Sequence, residues 1–180
     1  MNMASTEHVG QPHRSWIEQP DVKWAVTHGV IGGIIGGIVF AIAEILGGHW
    51  LSGDPYIMPF KAYASLPLGK MPPTIATSTA IPVGLLTHFI LSILFGIIVA
   101  LIILSIPALR TAPVVTVIAA TVFGFALWIV NFYVLVPLIN RPWFKMAPAG
   151  QQFFYHTFFF GTVLGLYLML VLSSARQSEA

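Results

Sequence analysis

Residues 24–46 read WAVTHGVIGGIIGGIVFAIAEIL, a run without Lys or Arg whose one formal charge is Glu44. A bilayer core takes about 20 apolar residues as a helix at about 1.5 Å of rise each, so this segment is long enough to span. It must be helical, because hydrocarbon offers no partner to the amides of an open strand. Three further runs of the same kind follow at 80–105, 111–139 and 152–172. The composition agrees: 57% of the 180 residues are hydrophobic and 8% charged, with a mean hydropathy of +0.85. The predicted fold class is all-α, an integral membrane four-helix bundle.

Outside the spans, the segment before Trp24 carries Glu7, Arg14, Glu18 and Asp21 and has no apolar core. It reads as a solvated tail (1–23) rather than a signal peptide, so the first span is expected to be retained. A membrane domain at 24–174 and a short tail at 175–180 complete the organisation. The first connection holds Asp54, Pro55, Tyr56, Lys61 and Tyr63, a capping residue, a proline and mixed aromatics that predict a short interfacial helix. The second, 106–110, is a tight turn around Pro107 that makes its flanking helices antiparallel neighbours. The third, 140–150, sets Trp143, Phe144 and Lys145 beside two prolines, a composition suited to the headgroup layer. The first and third connections are expected to form a lid over the face opposite the termini.

Four spans put both termini on one side. Arg14, Lys23, Arg110 and Arg176 lie on that side, and Lys61, Lys70, Arg141 and Lys145 on the other, so the positive-inside count is tied; a cytoplasmic placement of the termini is the expectation adopted. A formal charge of +2 without a basic run is too small to suggest nucleic acid, and none is expected as a partner. The absence of cysteine excludes thiolate iron–sulfur ligation, c-type haem attachment, thiol catalysis and disulfides.

Small residues mark the packing faces. Gly33 and Gly37 in the first span, Ser92 and Gly96 in the second, and Thr157, Gly161 and Gly165 in the fourth recur at helical spacing and permit close backbone approach. The last of these stripes is expected to meet a partner subunit. Isolated polar side chains are the sharper signal: Glu44, His88, Asn131 and His156 all fall toward the non-terminal face by helical rise. An intramembrane carboxylate beside a histidine marks a proton path, a quinone pocket or a metal site, or else it pins helix register. Glu44 and His88 are expected to touch or to share one buried water. On a helical wheel His156 falls about 100° from the Thr157 and Gly161 stripe and is expected to face a partner. His28 reads as an interfacial side chain.

Pro59-Phe60-Lys61, the His88/Ser92/Gly96 register, the segment from Trp128 through Asn131-Phe132-Tyr133-Val134-Leu135 to Pro137, Pro142-Trp143-Phe144 and the His156/Gly161 pair together resemble a family of small bacterial four-helix membrane proteins without an assigned activity. The resemblance covers roughly residues 27–170, and implies a multi-pass protein of the bacterial inner membrane.

Three functional classes remain. The preferred expectation is a non-catalytic accessory subunit of a larger membrane complex, of the respiratory or photosynthetic electron-transport kind, with lipid and other membrane subunits as partners. The alternative is a small oligomeric channel or proton-linked transporter using the Glu/His cluster. The third is a subunit that binds haem b or quinone. No metal or cofactor is expected in the chain itself, because its histidines lack paired local ligands.

Overall fold

The computed structural model describes residues 21–177, and within them every regular element is helical. Helix α1 (Val22–Ser52), α3 (Thr77–Ser105), α5 (Pro113–Leu138) and α6 (Ala149–Ala175) are each long and apolar enough to cross a membrane. Between them lie α2 (Met58–Leu68) and the short α4 (Pro107–Thr111). The chain is therefore an all-α, multi-pass four-helix membrane bundle. Glu7, Arg14 and Glu18 of the N-terminal tail, and residues 178–180 of the C-terminal one, lie outside the described residues.

Helix ends follow local chemistry more than hydropathy. Asp21 caps α1 by accepting from the Trp24 amide at 2.8 Å. The helix then runs six residues past the expected Leu46, until Gly53 adopts the left-handed region at φ 73° and its amide bonds back to His49. In the first connection the expected interfacial helix is present as α2, but it starts at Met58 with Pro59 in its first turn; Asp54 does not cap it. The turn after α3 is a helical one, α4, rather than an irregular link.

Glycine dictates which helices meet. A Cβ added at Gly96 of α3 would lie 2.3 Å from the Gly29 carbonyl and 2.7 Å from the Gly33 Cα of α1, so these backbones touch. One step round α1, Gly32 and Gly36 face Leu164, Tyr167 and Phe160 of α6. Helices α5 and α6 interlock in the same way, Gly124 against Gly161. In a membrane such contacts replace the hydrophobic force with dispersion and close fit. Toward the termini the bundle fills with Val99, Ile103, Leu164 and Leu168, all buried. Outward-facing residues such as Leu86, Ile90, Ile118 and Val122 are exposed, as a lipid-facing surface requires.

Candidate ligand cavity

Three of the bundle's four seams, α1 with α3, α1 with α6 and α5 with α6, are closed by these contacts. The fourth, between α3 and α5, is joined through α4 at the terminal end and packs sparsely. In the opposite half of the bundle that seam widens into a cavity of about 380 Å³, walled by α1, α3, α5 and α6 and roofed by α2 and the loop after α5.

The roof is pinned by specific bonds. Asn140 ends α5 in a left-handed conformation, φ 52°, which swings Arg141 back under α2. Its Nε and Nη2 both donate to the Leu66 carbonyl at 3.1 Å, satisfying an end-of-helix acceptor. Trp143 adds an indole bond of 3.0 Å to the Ser65 hydroxyl. The lid expected from the aromatic loops is thus one braced unit.

Polar groups converge beneath it. The Tyr63 hydroxyl of α2 donates to Glu44, and Gln152 Nε2 of α6 donates to the other carboxylate oxygen at 2.8 Å. The Gln152 carbonyl meets His156 Nδ1 at 2.8 Å, and since a carbonyl cannot donate, Nδ1 carries the proton. His156 Nε2 then accepts from Asn131 Nδ2 at 3.3 Å. By the same reasoning His88 Nε2 donates to the Gly37 carbonyl at 2.9 Å, which leaves its Nδ1 as an acceptor. Tyr63 also stacks on His88, with ring centroids 4.5 Å apart. Burial, and then the nearby Glu44 carboxylate, push the Tyr63 phenol well above the ordinary tyrosine range, so it stays a proton donor.

Asn131 and His156 both sit on π-helical segments, Val130–Leu135 and Tyr155–Thr162. Pro137 explains the first: its ring displaces the carbonyl one turn back, and the Val136 amide reaches five residues to Asn131 instead. Widened turns of this kind occur often at functional sites, where they re-aim a side chain.

The four polar residues singled out in the sequence, Glu44, His88, Asn131 and His156, all line this one cavity. Two expectations are corrected. The direct bond expected between Glu44 and His88 is taken instead by Tyr63 and Gln152, which both bond to Glu44, while the Tyr63 ring stacks on His88. His156 is buried and points inward rather than toward a partner; the wider π turn rotates it off its α-helical direction. The Thr157, Gly161 and Gly165 stripe is also spent inside the chain, since a Cβ at Gly161 would meet the Ala120 carbonyl at 2.6 Å and one at Gly165 the Val117 Cα at 3.0 Å. Gly33, Gly37, Ser92 and Gly96 line the α1–α3 contact. His28 bonds to the Tyr167 hydroxyl at 2.8 Å, in the opposite half of the bundle.

Sequence reasoning missed Tyr63, Gln152 and Phe40. Gln152 carried a usable signal, lying one helical turn before His156 on an otherwise apolar span. Phe40 packs against both histidines, at 5.6 Å from the His88 ring and 4.9 Å from His156. An axial haem pair does not fit here: that phenyl ring stands between the imidazoles, and three of their four nitrogens bond to protein. Among the described residues no group of three His, Asp or Glu converges as a metal site.

Comparison of the chain with protein-family models, with curated proteins and with solved structures finds no match.

Proposed function

We propose that this chain is a membrane-embedded binding protein for a lipid-soluble small molecule, held in the cavity between α3 and α5. The cavity carries the reading: its apolar walls and few convergent polar groups, drawn from five helices, are the pattern of ligand sites rather than of packing defects. The sparse α3–α5 seam supports entry directly from the bilayer. Of the features behind the accessory-subunit expectation, the glycine stripe does not support a partner contact, since it packs on α5.

Mass spectrometry of organic extracts from the purified chain tests the proposal. Wild type should retain a lipid-soluble molecule in near-stoichiometric amount, and Ala62→Phe, which fills the cavity from its roof, should lose it. Equal extracts from the two proteins would return the chain to a purely structural role.

A further inference from the structure

We infer that the cavity selects a lipophilic cation, an ammonium or phosphonium carrying aromatic or alkyl groups, with Glu44 as its counter-charge. The inference rests on the binding reading above and adds the ligand's chemical class.

The hydrogen bonds around the cavity show what Glu44 has for partners. Several donors around the cavity are committed to protein, the Tyr63 hydroxyl and one Gln152 amide N–H to Glu44, His156 Nδ1–H to the Gln152 backbone carbonyl, His88 Nε2–H to the Gly37 carbonyl and the Thr87 hydroxyl to the Val83 carbonyl, while the Ser92 hydroxyl and the second N–H of Asn131 and of Gln152 are left over. Acceptors are left over as well. They are the second lone pair on each Glu44 oxygen, the Asn131 carbonyl oxygen and His88 Nδ1. Donors and acceptors both remain, and what sets this cavity apart is that its acceptors include the Glu44 carboxyl group.

Charge and shape point the same way. Both groups that hold Glu44 are neutral, a phenol and an amide, so a carboxylate there has no protein cation to balance it. An unbalanced charge at this depth is costly and is relieved by a proton or by a cation, so a lipophilic cation entering the cavity takes the place of that proton. The walls supply Phe40, Tyr63, Phe95, Phe132, Phe144 and Phe160, ring faces that attract a weakly hydrated cation. Two basic residues of the lid face other work: Arg141 donates to the Leu66, Ile139 and Asn140 carbonyls and Lys61 to that of Pro73. Their charge opposes entry of a cation through the lid, which leaves the α3–α5 seam as its route.

Equilibrium dialysis of the full chain in phosphatidylcholine nanodiscs, against empty discs, tests this with isosteric probes of opposite charge. Tetraphenylphosphonium, or the smaller benzyltrimethylammonium, should bind saturably to wild type and not to Ala62→Phe. Tetraphenylborate and a neutral naphthoquinone should not exceed the empty discs. Glu44→Gln should weaken the cation roughly tenfold or more, while Glu44→Asp, which keeps the charge, should stay within a few-fold of wild type. Cation binding unchanged in Glu44→Gln, or saturable Ala62→Phe-sensitive binding of the borate or quinone in preference to the cations, overturns the cation assignment and leaves the binding reading standing. No saturable binding by any probe overturns both. The wild-type comparison of opposite charges holds even where a Glu44 variant fails to fold.

Discussion

Tyr63 lies on His88 like a tile, the two rings 4.5 Å apart and 21° from parallel, while its hydroxyl reaches past to Glu44. One side chain from an interfacial helix thereby ties the lid to α1 and α3 together. Tyr63→Phe keeps the stack and removes the donor, leaving the Glu44 carboxylate one partner short. The loss should be about 1–3 kcal/mol, the cost of stripping a partner from a buried polar group. Reversible unfolding in mixed micelles measures it, and a change below a few tenths would show that the bond contributes nothing.

The same phenol makes a prediction in pH. Its folded titration point is raised by burial and by Glu44, so the stabilisation is fully present below the unfolded tyrosine value of about 10 and is lost as pH climbs toward the folded one. Ultraviolet titration should show a tyrosine that ionises only with unfolding, absent in Tyr63→Phe. Ionisation at an ordinary pH with the fold intact would contradict the buried bond.

Close backbone approach gives a sharper contrast. At Gly96 an added methyl would sit 2.3 Å from a carbonyl oxygen and at Gly161 2.6 Å from another, and backbone cannot swing aside as a side chain can. Gly48, in the same kind of helix, would place its Cβ no nearer than 3.8 Å to any neighbour. Gly96→Ala and Gly161→Ala should each destabilise the bundle by about 1–3 kcal/mol or more, as overpacking does, whereas Gly48→Ala should be near neutral or stabilising. Similar effects at all three positions would refute the packing account.

How much of this was legible beforehand differs by the kind of information involved. The spans announce themselves, since apolar length is a property of the chain alone; only their ends moved, as at Ser52, where the Gly53 cap and not the last apolar residue stops the helix. The depth of Glu44, His88, Asn131 and His156 was also readable, because rise per residue is constant. Direction was not. It failed at His156, where a π turn altered the rotation per residue, and at the Glu44–His88 pair, where the Tyr63 that bonds to Glu44 comes from a helix whose docking no periodicity encodes. The cavity is a property of one loose seam among four, visible only when all the helix contacts are set side by side.

Thr157 offers a test of opposite sign. Its hydroxyl is buried and has no hydrogen-bond partner, although the residue is 5% exposed and packed in the α6 interior. Thr157→Val keeps the shape and removes a desolvated polar atom, so stability should hold or rise by about 1 kcal/mol. A clear loss would mean that the hydroxyl makes a contact in the membrane-embedded protein.

The lid's brace is Arg141, whose two nitrogens hold the Leu66 carbonyl while its guanidinium lies 5.7 Å from the Trp143 ring centre. Lysine lacks the planar fork and methionine lacks the charge, so neither can make the paired bond. Arg141→Met should loosen α2 without disturbing the spans, because the glycine contacts that hold α1, α3, α5 and α6 lie elsewhere. Hydrogen exchange should then speed roughly tenfold in Met58–Leu68 and remain unchanged in the four long helices, as expected when a local opening becomes easier by about 1.4 kcal/mol. Lys61→Met, which loses only an exposed bond of 3.4 Å, serves as the control and should leave α2 protected. If both variants exchange alike, α2 is held by its apolar face against α3 and the arginine is incidental to the lid.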